Sequence, residues 1–344
     1  MSPAVPDAEE GEGAVAGSYF SVQMHLLHEC NLKCAHCYDA HHPALGMPST
    51  TEIKRRLDAI YAFGAAEGVV PDMHLSGGEP TVRKDLVEIV DHIFGPKGGD
   101  ALLFTNGTRW TKRLAADLYL AGLRFVQVSL EGPRAFTDGI RGAGVYDRAM
   151  DTLGMLRGMG FRLTVSTTVT ALNYPVLQAF VEELDPLGIH FHLREVFPVG
   201  AGADLLQITA DQRRAFSRWA IAYDGASSIG IEDPVHCSVD PRYAADRRGC
   251  VAARNHFAVD VDGSIFPCRV LAHRVGHVNY LRAAWYHPDM VRIRNREFTG
   301  QCGRCELKAN CGGCRVHARL NGDLFGEDTR CFAQEQGLIG AEAS

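Results

Sequence analysis

The sequence predicts an α/β fold, namely a partial (β/α)6 barrel followed by a small cysteine-rich domain. Two observations lead to this prediction. Strand-like segments alternate with helix-like segments about six times, which is typical of a parallel sheet with right-handed crossovers. None of the eleven cysteines lies between residues 38 and 236, so the last third of the chain differs in kind from the alternating part.

The bulk composition is that of a globular enzyme with one large or two ordinary domains. The 344 residues are 46% hydrophobic and 22% charged, and the net charge of −6 gives no reason to expect nucleic acid or an anionic membrane as a partner. No apolar run approaches the roughly 20 residues that span a bilayer. Residues 1–17 are acidic and lack the apolar block of a signal peptide, so we expect a disordered lead-in. Cysteines without a secretion signal favour a cytoplasmic metalloprotein over a disulfide framework.

Periodicity places the elements. In the first predicted helix, Ile53, Leu57 and Ile60 recur on one face. The predicted strands cover residues 22–27, 72–75, 101–104, 125–130, 161–169 and 190–197. The predicted helices cover residues 51–63, 82–94, 111–121, 146–159, 175–184 and 209–223. An Asp-Gly turn predicts a hairpin over residues 258–266. We therefore expect a barrel over residues 18–207, a linker helix region over 208–234 and a cysteine-rich domain over 235–344.

Three cysteines follow the first predicted strand directly. Cys30, Cys34 and Cys37 have the spacing C-x3-C-x2-C. Thiolates at such a spacing bind zinc or an iron–sulfur cluster. A structural zinc ion needs a fourth ligand, and no local residue offers one. The spacing therefore favours a cluster with one iron open to a small molecule, with a zinc loop as the alternative.

Polar and glycine-rich segments follow the next three strands. They are Gly77-Gly78-Glu79-Pro80, Thr105-Asn106-Gly107 and Ser129-Leu130-Glu131-Gly132. The carboxyl ends of parallel strands meet at one edge of the sheet, where ligands bind. Glycines let the backbone approach a ligand closely, and a carboxylate favours an ammonium group. The alternative for the first segment is an ordinary turn into a helix with Pro80 at an early position.

A second cysteine group lies near the C-terminus. Its spacing is Cys250-x12-Gly263-x4-Cys268, then Cys302-x2-Cys305-x5-Cys311-x2-Cys314 and Cys331, with Cys237 upstream. Because C-x2-C repeats also occur in zinc ribbons, the spacing alone leaves both zinc and iron–sulfur clusters open.

Taken together, the first cysteine motif and the strand-end segments resemble the radical S-adenosylmethionine superfamily. The commonest family motif has an aromatic residue before the third cysteine, whereas here His36 precedes Cys37 and Tyr38 follows it. The resemblance implies that Cys30, Cys34 and Cys37 hold a [4Fe–4S] cluster whose fourth iron chelates S-adenosylmethionine. In the family, the Gly-Gly-Glu segment meets the methionine amino group, while a serine and an arginine fork hold the carboxylate. The implied cofactor-binding residues are Tyr38, Gly77, Gly78, Glu79, Pro80, Asn106, Ser129 and Arg141.

The C-terminal cysteines resemble the SPASM domain, which holds two auxiliary [4Fe–4S] clusters. The resemblance assigns one cluster to Cys302, Cys305, Cys311 and Cys331. It assigns the other to Cys250, Cys268 and Cys314, with Cys237 as the residue that would complete it. If Cys237 is instead a buried thiol, the second cluster has an open iron. The resemblance covers residues 22–332 and implies three clusters in all.

This resemblance implies an oxidoreductase that forms a 5′-deoxyadenosyl radical and takes electrons from a flavodoxin- or ferredoxin-type reductant. The implied substrate is a ribosomal precursor peptide. Too few residues precede the first strand for a peptide-recognition domain, which weakens the peptide case but does not remove it, because recognition can lie on a separate protein. The alternative substrate is a small aminocyclitol or sugar in natural-product biosynthesis, which would be dehydrogenated or epimerised. Arg269 stands where sulfatase-maturing relatives have an aspartate, which disfavours that activity.

Three residues are candidates for the substrate side. Arg194 and Glu195 end the sixth predicted strand and face the expected pocket, although a plain salt bridge would also explain them. Cys237 could return a hydrogen atom in an epimerase. Two alternatives from other classes are a non-catalytic zinc-binding protein and a ferredoxin-like electron carrier, and the carrier would leave the strand-end segments without a purpose.

Overall fold

A computed structural model describes residues 20–42, 45–95, 98–205, 207–246 and 249–340, so the predicted lead-in lies outside the described residues. Its ten strands are β1 (Phe20–His25), β2 (Pro71–Ser76), β3 (Asp100–Thr105), β4 (Phe125–Ser129), β5 (Arg162–Val169), β6 (His190–Glu195), β7 (Ser228–Ile231), β8 (His256–Val259), β9 (Ser264–Phe266) and β10 (Gly276–His277). They form one open sheet in the order β10-β9-β8-β1-β2-β3-β4-β5-β6-β7.

Twelve helices connect or follow these strands in the described part of the chain. They are α1 (Thr50–Glu67), α2 (Leu86–Phe94), α3 (Lys112–Leu120), α4 (Arg134–Arg141), α5 (Val145–Gly158), α6 (Tyr174–Leu184), α7 (Ala210–Ala222), α8 (Pro241–Asp246), α9 (Leu281–Trp285), α10 (Pro288–Arg294), α11 (Gly300–Arg304) and α12 (Arg315–Leu320). None of them combines the length and apolarity needed to cross a membrane.

Strands β1 to β7 are all parallel to their neighbours, so the predicted open, partial α/β barrel is confirmed. All six predicted strands and all six predicted helices are present within a few residues of their predicted limits. The short C-terminal elements β10 and α8 to α12 were not predicted from the sequence, and neither were β7 and α4. Strand β7 is only four residues long, and α4 buries just Thr137 and Ile140, so neither leaves a clear periodic pattern.

The two faces of the sheet differ in polarity. Val22 and Met24 of β1 face the helices, and they share the core with α1 residues such as Leu57. The alternate residues of β1, Gln23 and His25, are buried polar side chains on the opposite, concave face. At β1, the concave side of the barrel therefore carries buried polar side chains.

The cysteine-rich region continues the same sheet. Strand β8 pairs in parallel with β1, with Met24 opposite Val259, and β9 returns antiparallel to β8. The predicted hairpin is thus confirmed, and Gly263 in its turn has a φ of 87°. The predicted domain limits stay a prediction.

Candidate active site and cysteine groups

A cavity of about 1110 Å³ opens at the carboxyl ends of the parallel strands. The three cysteines of the N-terminal motif line it together. The predicted cofactor residues that also line it are Tyr38, Gly77, Gly78, Glu79, Asn106, Ser129 and Arg141. Pro80 is the exception, because it lies behind the cavity as the first residue of a 3-10 turn. The fold thus brings residues from five separate segments to one site.

The two glycines after β2 pack against residues 26–38, the cysteine loop, which follows β1 and contains the three N-terminal cysteines. A Cβ on Gly77 would lie 2.3 Å from the Leu27 carbonyl oxygen, and one on Gly78 would lie 2.2 Å from that of Glu29. The Gly78 amide donates to Leu27 at 2.8 Å, and the Glu79 amide donates to Glu29 at 3.0 Å. The glycines are therefore required by the neighbouring backbone, a reason that the sequence did not reveal.

The Glu79 carboxylate joins the ends of β2 and β3. It is 1% exposed and accepts hydrogen bonds from the Thr105 hydroxyl at 2.8 Å and the Asn106 amide at 2.7 Å. Thr81 donates to it with both its amide and its hydroxyl. Burial raises the pKa of Glu79 in spite of these donors. Most of its acceptor capacity is already used, so Glu79 orients the loop at least as much as it faces the cavity.

Asn106 connects β3 to the cysteine loop. Its side-chain Nδ2 donates to Asn31 Oδ1 at 3.0 Å and approaches Cys30 Sγ at 3.9 Å. Its Oδ1 accepts from Thr108. The position of the first cysteine is therefore coupled to the end of the third strand.

Glu131 is a site residue to which the sequence analysis gave no role. It is fully buried and accepts hydrogen bonds from Arg141 and, at 2.8 Å, from His36. Burial opposes its ionisation, but the charges of Arg141 and His36 lower the pKa of Glu131 to about 2. The Arg141 fork expected to face the cofactor carboxylate is thus bound to Glu131, and only Nη1 points towards Cys34 Sγ, at 3.9 Å. In the sequence, the one signal for a role of Glu131 is its position just after strand β4.

The cysteine loop is also tied to the hairpin between β8 and β9. Asp260 in the hairpin turn lies 3.3 Å from His25 Nδ1 and 3.5 Å from His28 Nε2. The other ring nitrogen of His28 lies 2.9 Å from Asp39. Burial opposes protonation of His28, but Asp39 and Asp260 raise its pKa. The Tyr38 hydroxyl completes this network through a 3.0 Å hydrogen bond to His25.

The substrate-side candidates Arg194 and Glu195 both line the cavity and both form ion pairs. Arg194 Nη1 lies 3.2 Å from Glu232, and Glu195 accepts a bidentate pair of hydrogen bonds from Arg213 at 2.7 and 2.8 Å. Arg269 also lines the cavity, with its guanidinium 4.4 Å from the centre of the Tyr38 ring. The positions of Arg194 and Glu195 are therefore compatible both with contact to a substrate and with plain salt bridges.

Four of the C-terminal cysteines surround one small cavity. They are Cys302, Cys305, Cys311 and Cys331, the set that the sequence analysis assigned to one cluster. Backbone amides already donate to two of their sulfurs, from Gly313 to Cys311 at 3.5 Å and from Ala333 to Cys331 at 3.4 Å. We call these residues the four-cysteine group.

Cys250, Cys268 and Cys314 form a second set, the three-cysteine group. Burial raises the pKa of Cys268 to about 12 and also raises the pKa of Cys314. The nearby Cys250 adds to both shifts. Cys237, expected to complete this group, is 1% exposed and packs against Cys311 of the four-cysteine group in the same small buried cluster. That contact favours the alternative in which Cys237 is a buried thiol.

The cysteines fit iron–sulfur clusters by their chemistry. All eleven are free thiols. Three sulfurs facing one large cavity, and four around a small one, are donor sets for soft metal centres. The cavity beside Cys30 and Cys34 is also lined by glycine-rich and charged strand ends, which are suited to binding an amino acid cofactor.

Two family models match the chain. The radical SAM superfamily model matches residues 24–182, and the SPASM model, described as an iron–sulfur cluster-binding domain, matches residues 250–314. An AdoMet-dependent heme synthase of Methanosarcina barkeri is 29% identical over 332 residues, which cover 88% of this chain and 93% of that protein. Mycofactocin maturase MftC of Mycolicibacterium smegmatis is 29% identical over 326 residues, covering 89% of this chain and 81% of the maturase.

Among solved structures, Streptococcus suis SuiB bound to the precursor peptide SuiA has a TM-score of 0.73 at 17% identity, covering 91% of this chain and 76% of SuiB. At that identity the likeness concerns the fold. The two family models match the segments that carry the two cysteine motifs. This chain is therefore an enzyme that belongs to the radical S-adenosylmethionine superfamily, in its SPASM-domain subfamily, and it works with S-adenosylmethionine and iron–sulfur clusters.

Proposed function

We propose that this enzyme cleaves S-adenosylmethionine to a 5′-deoxyadenosyl radical and oxidises or cross-links a ribosomal precursor peptide, with two auxiliary clusters as electron acceptors. One observation carries the proposal. The cavity beside the N-terminal cysteines is also lined by Arg269, which directly follows Cys268 of the three-cysteine group. A substrate in this cavity would lie between the radical-forming site and an electron acceptor.

The cofactor site follows from the strand ends. Cys30, Cys34 and Cys37 would hold the radical-forming cluster, and the backbone of Gly77 to Glu79 would meet the amino group of S-adenosylmethionine. Ser129 and Nη1 of Arg141, the nitrogen that does not bind Glu131, would hold its carboxylate. When bound, the reduced cluster and S-adenosylmethionine supply a radical that takes a hydrogen atom from the substrate. The protein contributes orientation and exclusion of water from the reacting atoms.

The substrate class rests on relatives. SuiB binds a precursor peptide, and MftC is a maturase, so we place a peptide first. A second candidate, a tetrapyrrole, is favoured by the heme synthase relatives, because this chain covers 93% of the one from Methanosarcina barkeri. The aminocyclitol or sugar substrate has no comparable support. Membership of an enzyme family argues against the non-catalytic zinc-binding alternative and against a simple electron carrier.

The test uses anaerobically reconstituted enzyme with dithionite and S-adenosylmethionine. We expect three [4Fe–4S] clusters per chain by iron and sulfide analysis and release of 5′-deoxyadenosine. A precursor peptide encoded beside this gene should lose two hydrogen masses or gain a cross-link. An unchanged peptide together with oxidation of a tetrapyrrole would select the second candidate. Absence of 5′-deoxyadenosine would reject the radical chemistry altogether.

A further inference from the structure

Arg315 is the largest of the side chains that are almost fully buried in the described part of the chain. It directly follows Cys314 and is 1% exposed. Its Nη1 donates to the carbonyl oxygens of Leu324 and Gly326, at 3.1 and 2.8 Å. The guanidinium also lies 4.0 Å from the centre of the Phe298 ring. Among the described residues, Arg315 takes part in no ion pair, so its charge is buried without a carboxylate partner.

The remaining terminal nitrogen of Arg315 points at a sulfur. Its Nη2 donates to Cys302 Sγ at 3.6 Å, and Cys302 belongs to the four-cysteine group. A buried cation is costly unless an anion compensates it. A cluster held by four thiolates is such an anion, and it becomes more negative when it is reduced.

We propose that Arg315 is a positioning residue that raises the reduction potential of the auxiliary cluster at Cys302, Cys305, Cys311 and Cys331. The reduction potential of an iron–sulfur cluster depends on nearby charge, on hydrogen bonds to its sulfurs and on exposure to solvent. Arg315 supplies a positive charge and an N–H···S hydrogen bond, and both stabilise the reduced state.

In this role, Arg315 would favour transfer of an electron from the substrate to the four-cysteine cluster. After a hydrogen atom has left the substrate, formation of the oxidised product releases one electron and one proton. The electron reduces an auxiliary cluster, and the proton passes to solvent. A cluster whose reduced state is stabilised by Arg315 is a favourable acceptor. This inference rests on the proposed function, because it requires a cluster at the four-cysteine group.

The decisive experiment is a potentiometric titration of the reconstituted holoenzyme, followed by electron paramagnetic resonance. In Arg315→Gln, the ratio of reduced to oxidised four-cysteine cluster at a fixed potential should fall at least tenfold, about 59 mV for a one-electron couple. Arg315→Lys keeps the charge but loses the fork, so its shift should be smaller. The signal is assigned by its loss in Cys302→Ala. The other two clusters should keep their potentials.

Arg294→Gln is the matched control. Arg294 also donates to two backbone carbonyl oxygens, of Ala253 and Trp285, and lies 3.8 Å from the centre of the Trp285 ring. No cysteine sulfur is among its hydrogen-bond acceptors. This variant should leave all three potentials unchanged. Equal potentials in Arg315→Gln and wild type would overturn the proposal.

A measurement on the wild type covers the case in which Arg315→Gln loses its iron. Holoenzyme is prepared from cells grown with arginine that carries ¹⁵N in its guanidinium group. Pulsed electron paramagnetic resonance should then show a ¹⁵N coupling to the reduced four-cysteine cluster. An observed cluster without this coupling would contradict the role of Arg315. A wild-type protein without iron at the four-cysteine group would instead contradict the proposed function.

Discussion

At the scale of single residues, Glu131 supplies the buried negative charge beside the three N-terminal cysteines. Its fully buried carboxylate binds Arg141 and His36, one from helix α4 and one from the cysteine loop. Arg141 in turn approaches Cys34 Sγ at 3.9 Å. A buried ion pair of this kind fixes the direction of both partners, because neither can leave without exposing an uncompensated charge. Glu131 therefore orients two groups next to a cysteine without touching a sulfur itself.

Replacing Glu131 by glutamine should lower the free energy of unfolding by about 3 kcal/mol, because Arg141 would remain buried without its counter-charge. Urea unfolding measures this change. Glu88→Gln is the control, since Glu88 pairs with Lys54 on the surface and is 59% exposed. That variant should change stability by less than about 1 kcal/mol. Equal effects in the two variants would contradict the structural role of Glu131.

The cysteines are expected to act in separate groups. Cys34→Ala should abolish 5′-deoxyadenosine formation while most of the auxiliary iron stays bound. Cys302→Ala should do the reverse, with 5′-deoxyadenosine still formed but iron lost and product formation reduced. Iron analysis and chromatography of the reaction check both outcomes. S-adenosylmethionine cleavage that survives in Cys34→Ala would refute the assignment of the radical-forming site.

At the scale of elements, the cysteine loop is held from two sides by glycine-containing segments. After β2, the glycines at 77 and 78 contact its beginning. After β6, Gly200 lies against its end, since a Cβ there would be 2.4 Å from the Tyr38 carbonyl oxygen, and the Ala201 amide donates to Cys37 at 2.9 Å. An irregular loop without its own regular hydrogen bonds thereby acquires a fixed shape.

Gly78→Ala should therefore displace the cysteine loop. The new Cβ would meet the carbonyl oxygens of Glu29 and His28, at 2.2 and 2.4 Å, and backbone atoms cannot swing away. A displacement of about 1 Å can reduce a rate roughly 100-fold, so 5′-deoxyadenosine formation should fall by that order. Gly139→Ala in helix α4 is the control, because no atom lies within 4 Å of its Cβ position. Normal cleavage by Gly78→Ala would show that the contact is not limiting.

At the scale of the whole molecule, a buried ionic network joins the barrel to the C-terminal region. Arg330 donates to Asp233 at 2.6 and 3.0 Å and to Asp328 at 2.9 Å, and it lies 3.8 Å from Glu195. Glu195 ends strand β6 and is bound by Arg213 of helix α7. Asp328 also accepts from the Cys314 amide at 3.0 Å. A single network of buried charges therefore connects Glu195, at the edge of the large cavity, with the backbone of Cys314.

Arg330→Met should destabilise the whole protein by about 3 kcal/mol, because it leaves several buried carboxylates without their cation. The expected readouts are a lower urea midpoint and reduced iron retention at the auxiliary groups. Arg242→Met removes a pair with Asp240 on the surface, where Arg242 is 91% exposed, and should leave the urea midpoint unchanged. An unaffected Arg330→Met would show that the network carries little of the stability.

Prediction from sequence worked where the signal is local. The spacing of Cys30, Cys34 and Cys37 sets a loop, and repeated apolar periodicity sets six strands with their helices. The same kind of signal failed for β7, which is too short to show a period. It also failed for the role of Gly77 and Gly78, because their nearest neighbours lie about 50 residues earlier in the chain.

The sequence by itself determined the α/β class, the open barrel, the hairpin and the two cysteine motifs, because each is encoded in residues close together along the chain. Only the tertiary structure showed that Glu131 holds Arg141, that Cys237 contacts Cys311 and that Arg315 points at Cys302. Buried charged groups pair with groups that lie close to them in the folded state, and spacing along the sequence does not reveal these pairs. The charged residues that contact the cysteines are for this reason visible only after folding.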